Sequence, residues 1–340
     1  MNKLYILLAL LAFAACKSKK TDQAPSEQIS DARVLFYNVE NLFDTLNTEG
    51  KRDGEFTPEG DKQWNSERYF DKLNKLAKVI AAADSGYLPD IIGLAEIENR
   101  AVVEDLAKTA PLKGYKVIHQ ESPDQRGIDV ALMYRSGYEP LHNEYILVDL
   151  GGERSHTRDI LYSKGVFYKD TVHLFVNHWP SRYGGKEKSD PKRAIAAQKL
   201  RSKVDSLFAI NSGSRIIIMG DFNDYPADKS LSSILGAKEE ASEEAATLIN
   251  LAWKFENSGQ GSYNYRGNWG CLDQFIISSA LMKGPHLEAN MNSYSTVYKD
   301  WLIYTNDKGE KYPSRSYGGP NYYGGYSDHL AIQLKLKVTP

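Results

Sequence analysis

Carboxylate, amide and imidazole side chains recur in this sequence at one kind of place, the edge of a short apolar run. Asn38 follows VLFY, Glu96 follows DIIGLA, and Asn177 and His178 follow VHLFV. Asp221 and Asn223 follow RIIIMG, Asp273 precedes QFII, and Asp328 and His329 precede LAIQL. Hard oxygen ligands gathered in this way suit Mg²⁺, Mn²⁺ or Ca²⁺ better than a soft metal. The histidines and remaining carboxylates supply groups able to move a proton. Taken singly, each has an ordinary explanation: a solvated Glu, a capping Asp, a satisfied core His. Their shared position at strand ends is what points to a site, because strand ends open onto the ligand crevice in layered α/β folds.

The elements that would carry these residues are legible as alternating apolar β-rich runs and amphipathic stretches. Strands are expected at 34–37, 90–95, 115–118, 130–134, 165–168, 172–176, 215–219, 275–277 and 330–334. Trp64 to Ala83 places Phe70, Leu73, Leu76, Ala77 and Ile80 on one helical stripe. A second helix is expected from Pro191 to Phe208, with Asp190 as its N-cap and Pro191 at its first position. Two segments read as loops: 47–61, rich in glycine and charge, and 312–326 (YPSRSYGGPNYYGGY). The second is either a floppy surface segment or the border of a cleft. No internal repeat or change of composition marks a second domain, so 31–340 is expected to form one unit.

Five short motifs then carry a resemblance: YNVEN at 37–41, LAEIE at 94–98, GDFN at 220–223, LDQF at 272–275 and SDH at 327–329. In this order and spacing they resemble the successive motifs of the endonuclease/exonuclease/phosphatase superfamily, the group that includes deoxyribonuclease I. The resemblance spans nearly all of the chain beyond its N-terminus. It implies a four-layer α/β sandwich, two mixed β-sheets packed face to face with helices outside. It also implies metal-dependent hydrolysis of phosphate esters by an activated water.

By that resemblance Glu96 is the principal ligand of Mg²⁺ (or Mn²⁺ or Ca²⁺), with Asn38 and Asp328 completing the shell and Glu40 as a second acidic ligand. Glu98 reads as structural. Asp221 would orient or deprotonate the water, and Asn223 would hold the phosphate; the Asp-x-Asn spacing sets both on one face if the chain stays extended. His329 would contact the scissile phosphate, with Asp273 on its other ring nitrogen. His178 would be a second phosphate contact or leaving-group acid, with Asp129 as its carboxylate partner. Asn177, Arg182 and Arg193 are expected phosphate contacts, and Arg126 is a further anion contact. The catalytic set does not separate a nuclease-like phosphodiesterase from a small-molecule phosphatase or phosphodiesterase. A binding protein that kept the fold without the chemistry is the rival, and the intact motifs oppose it. A serine or cysteine hydrolase would need a nucleophile elbow, and no Gly-x-Ser-x-Gly turn lies between a strand and a helix, which leaves the metal reading ahead.

The 42 basic and 44 acidic residues leave a net charge of −2. Proteins that grip long duplexes owe most of their non-specific affinity to a basic excess, so processive DNA binding is disfavoured while a local phosphoester pocket is not. Met1-Asn2-Lys3 followed by an apolar run from Leu4 to Ala15 has the length of a signal-peptide core, too short to cross a bilayer. The run ends in Ala14-Ala15-Cys16, which resembles a bacterial lipobox with Cys16 as the lipidated residue. Residues 17–30 are polar and read as a disordered tether. The expected protein is exported, held to a bacterial membrane through its lipid alone, and monomeric. Cys271 is then the sole remaining cysteine and reads as a buried thiol.

Overall fold

The computed structural model describes residues 31–151, 156–242 and 244–339; the signal segment, tether and Cys16 lie outside them. The first half runs β1 (Asp31–Leu42), α1 (Ser66–Ala81), β2 (Ile91–Ile97), α2 (Arg100–Lys108), β3 (Lys116–Ile118) and β4 (Asp129–Tyr134). Then come β5 (Tyr138–Ile146), β6 (Ile160–Phe167), β7 (Asp170–His178), α3 (Lys186–Ile210) and β8 (Arg215–Asp221). Shorter pieces follow: β9 (Ala237–Lys238), β10 (Leu248–Asn250), α4 (Trp253–Asn257), β11 (Tyr263–Tyr265), β12 (Asn268–Gly270) and β13 (Asp273–Ser278). The chain closes with β14 (Leu287–Glu288), β15 (Tyr294–Thr296), β16 (Ile303–Thr305), β17 (Lys311–Pro313), β18 (Tyr317–Gly318), β19 (Asn321–Tyr322) and β20 (Ile332–Val338).

Two seven-stranded sheets result. One has the order β14-β20-β1-β2-β4-β3, with β15 also on β20; the other is β5-β6-β7-β8-β13-β10-β9. Both are mixed: β1 is parallel to β2 and antiparallel to β20, while β7 is parallel to β8 and β8 antiparallel to β13. Strand alternation sorts their side chains into layers. From β1, Val34 and Phe36 join Val176, Ile217 and Met219 of the second sheet in the central core. Leu35 and Tyr37 point the other way, against Leu73, Leu76 and Ile80 of α1 and Val103 and Leu106 of α2. On the far side Phe175, Ile216 and Ile218 pack on Ala196, Leu200 and Val204 of α3. The order helix, sheet, sheet, helix is the four-layer sandwich that the motifs implied. Each large side chain so buried contributes about 1.5–3 kcal/mol.

Helix ends follow ordinary capping chemistry where the residues allow it. Asn65 accepts from Arg68 N ahead of α1, and Asn99 from Val102 N ahead of α2. α3 departs from expectation: it starts at Lys186, with Gly185 at the N-cap, and Pro191 lies inside it. A proline this near the start removes only one bond of the first turns, and Asp190 pairs with Lys186 and Arg193 instead of capping. The last strand also begins later than the apolar run suggested, at Ile332. The 312–326 segment is no floppy loop. It holds β18 and β19 and is pinned by the buried Lys72 ammonium of α1, which donates to Ser316 Oγ (2.5 Å), Tyr326 O (2.9 Å) and Glu40 O (3.0 Å).

Candidate active site

Strand register brings the polar residues to one edge. Asp221, last in β8, pairs in register with His178 at the end of β7 and with Asp273 at the start of β13. The facing sheet delivers Asn38 from β1, Glu96 from β2, and Asp328 and His329 from the turn into β20. Asn38 joins the sheets, its Nδ2 donating to Asp221 Oδ2 at 3.0 Å. Asp221 Oδ1 accepts from Asn223 N at 2.9 Å.

Two irregularities aim the side chains. The β2–β4 register slips between Ala95 and Ile97, so Glu96 is an extra residue, and it takes a φ of 63°. The β1–β2 register slips between Asn38 and Leu42, where Glu40 and Asn41 have φ of 51° and 54°. Non-glycine residues in the left-handed region are strained, and bulges of this kind re-aim side chains beside active sites. Here the slip turns Asn41 N toward Glu96, whose Oε2 accepts it at 3.0 Å. Glu96 Oε1 remains 3.8 Å from His178 Nε2, beyond hydrogen-bonding distance. Asn223 is also left-handed (φ 51°), so Asp221 and Asn223 do not share an extended face. The Asn223 amide instead folds back and donates to Trp179 O at 3.0 Å.

His329 is the best-oriented group. Its Nδ1 lies 2.7 Å from Asp273 Oδ2, which also accepts from Ser262 Oγ at 2.5 Å. Its Nε2 faces Asp221 Oδ2 at 3.9 Å. Burial opposes a charged ring, yet the carboxylates of Asp273 and Asp221 outweigh it and hold the imidazole well above its ordinary pKa. Burial pushes Asp221 up to about 7, with the cationic His329 opposing and Asp273 reinforcing. His178 goes the other way: burial, then the charges of Arg158, Arg126 and His329, hold it well below the imidazole range. Its Nδ1 is buried with no hydrogen-bond partner among the described residues.

Several expected assignments change with the tertiary partners. Asp129 does not partner His178; its Oδ1 takes Ser122 N and Oγ, and its Oδ2 lies 3.2 Å from His119 Nε2. Arg193 is fully buried, with Nε 2.7 Å from Asp224 Oδ1 and Nη1 donating to Pro180 O. Arg182 is neutralised by Asp224 (3.1 Å) and Asp228 (2.5 Å). Neither guanidinium is free for phosphate. Asn177 is fully buried and spends its amide on Met219 O and Trp179 Nε1. The Glu40 carboxylate accepts from Ser316 N, Tyr317 N and Arg315 Nε, which makes it the anchor of the 315–317 segment rather than a ligand.

Three residues at the site were not singled out for it from the sequence. Arg315 links Glu40 to Asp328, its Nη2 donating to Asp328 Oδ2 at 3.1 Å. Tyr263 lays its ring 4.8 Å from that of His329. Lys72, between apolar neighbours on the buried stripe of α1, was the one with a sequence signal, a lysine where the helix faces the core. Arg126 does reach the edge of the site, donating to Asn41 Oδ1 at 2.9 Å.

The profile of the endonuclease/exonuclease/phosphatase family matches residues 33–338. No curated protein matches the chain. Among solved structures, an endonuclease/exonuclease/phosphatase family protein from Bacteroides thetaiotaomicron superposes with a TM-score of 0.54 at 16% identity, over 91% of this chain and 98% of that one. Bacteroides thetaiotaomicron mannosyl-6-phosphatase gives 0.54 at 17% identity, over 90% and 99%. D. rerio TDP2 complexed with a single strand DNA product gives 0.54 at 18% identity, over 91% and 100%. These likenesses establish the shared fold, and the profile match, running from β1 to β20, establishes the lineage. The chain belongs to the endonuclease/exonuclease/phosphatase family of phosphoester hydrolases.

Proposed function

We propose that this protein is a divalent-metal-dependent phosphodiesterase. The observation that carries it is the buried line Asn38–Asp221–His329–Asp273, which spans both sheets beside the strained Glu96. The donor set fits a hard cation: Glu96 keeps one carboxylate oxygen outside any hydrogen bond, and Asn38, Asp221 and Asp328 bring amide and carboxylate groups to the same edge of the sheets. Glu96 would hold Mg²⁺, with Asn38 and Asp328 completing its shell; Mn²⁺ or Ca²⁺ suits the same donors. When bound, the cation supplies positive charge for the phosphoryl oxygens.

The chain's own groups do the rest. Asp221, raised toward neutrality, has the basicity to take a proton from the attacking water at physiological pH. Asn223 Oδ1 stands ready to orient that water, because the amide nitrogen is already committed to Trp179 O. His329, kept cationic by Asp273, donates from Nε2 to a phosphoryl oxygen and stabilises the charge that builds on it. His178, kept neutral by burial, positions rather than protonates. A second reading, a small-molecule phosphatase, is favoured by the net charge of −2, which gives little hold on a long polyanion. The protein is further proposed to be exported and anchored through Cys16.

Hydrolysis of bis-p-nitrophenyl phosphate, a monoester, plasmid DNA, RNA and inositol phosphates tests this. Cleavage of at least one diester is expected, with His329→Ala lowering kcat about 10²–10⁴-fold. Silence on every ester, or a fully active His329→Ala, sinks the reading.

A further inference from the structure

The catalytic groups leave one adjoining cavity without a role. It encloses about 530 Å³, within the range of small-ligand sites, and Asp328 and Arg315 are among the residues that line it. Its walls are aromatic, built from Tyr263, Tyr304, Tyr312 and Tyr323. Tyr263 couples the cavity to the chemistry, since the same ring rests against His329 and the two residues form an isolated β-bridge.

The polar groups of this cavity narrow its ligand. Asn264 is only 7% exposed and its Nδ2 has no hydrogen-bond partner among the described residues. Its Oδ1 is already engaged by Gly267 N at 2.9 Å, so the two N–H donors of its buried amide nitrogen are left wanting acceptors. Two neighbouring groups are already engaged. Asn306 Nδ2 and Tyr312 Oη both donate to Glu310 Oε2, and Asn306 Oδ1 accepts from Lys308 N and Glu310 N. An acyl chain would leave Asn264 unsatisfied. A flat heteroaromatic ring satisfies both demands, offering π faces to the tyrosines and a ring acceptor to the amide.

We propose that this cavity receives the nucleobase of a nucleotidyl phosphoester, stacked on the tyrosines and held by Asn264, with its phosphate beside Asp328 and His329. The assignment rests on the phosphoesterase reading above and adds the substrate class. It makes the protein a nucleotide-selective enzyme in which the base contributes to binding.

Equilibrium dialysis of the protein against adenosine and thymidine 5′-monophosphate, with ribose 5-phosphate as the base-free control, decides it. At least one nucleotide is expected to bind about tenfold or more tightly than ribose phosphate, the advantage that a stacked ring confers. Tyr304 is 56% exposed, so Tyr304→Ala removes a wall without opening the core. That variant, and Asn264→Ala, should each erase most of the preference, and Tyr304→Phe should restore it. Equal binding of nucleotide and ribose phosphate, binding of neither, or a preference untouched by both alanine variants overturns the proposal. Because binding is read without turnover, a failure to hydrolyse any ester would defeat the catalytic reading while the dialysis still judged the cavity.

Discussion

Glu96 and Glu98 stand two residues apart and serve different ends. Glu96 sits on the bulge and faces His178 across the site, whereas Glu98 is buried and accepts from Asp44 N at 2.6 Å and Thr48 Oγ1 at 3.1 Å. Burial raises Glu98 to about 7 from an ordinary 4.5, so the folded state binds its proton more tightly than the unfolded chain. The sign follows: between about pH 4.5 and 7 the native state carries the extra proton, and this group's contribution to stability falls as pH rises through that window. Glu98→Gln removes the effect. The melting temperature of the variant minus that of the wild type should increase from pH 5 to pH 8, and a difference that stays flat or shrinks would refute the assignment. Sequence could not reveal this division of labour, because it depends on a one-residue register slip. Residue types at strand ends were readable, since the pattern of apolar run and polar edge is local. Partners were not: Asp129, Arg182 and Arg193 look like site residues until His119, Asp224 and Asp228 are found beside them.

At the scale of elements, the close approach of β7 and β8 is what sets His178 beside Asp221. It requires Gly220, whose added Cβ would meet Asn177 O at 2.5 Å and Asn177 Cβ at 2.6 Å. Neither atom is the far end of a flexible side chain, so Gly220→Ala must part the strands. A stability loss of about 1–3 kcal/mol is expected, with a fall in kcat, both checked by denaturant unfolding and steady-state kinetics. A variant with wild-type stability and rate would show that the strand spacing is not critical. Most of the long strands and α1 were legible because their apolar pattern is strong, whereas α3 has almost no amphipathic stripe and was read from Asp190-Pro191. The edge strand β5 was not expected, since its faces are mostly exposed or half-buried and carry no clear alternation. The hairpins of 303–322 escaped notice because strands of two or three residues leave no periodic signal, and their order comes from Lys72 and neighbouring tyrosines.

For the whole molecule, the site exists only where the two sheets meet, so neither half of the chain can carry the chemistry alone. The proposed lipid attachment at Cys16 is a separate matter at this scale, since that residue lies ahead of β1 and outside the described residues. Growth with labelled palmitate should mark the protein and spare Cys16→Ser; an unlabelled wild type would refute the lipid attachment. The central claim is that Glu96 organises a cation for phosphodiester hydrolysis, and one titration tests it most directly. Turnover of bis-p-nitrophenyl phosphate is followed as Mg²⁺ or Mn²⁺ is added back to chelator-treated protein, for the wild type and for Glu96→Gln. The account predicts no turnover without cation and saturable recovery in the wild type. For Glu96→Gln it predicts a half-saturation at least about tenfold higher, or no recovery. Undiminished turnover in chelator, or identical titrations of the two proteins, would contradict it.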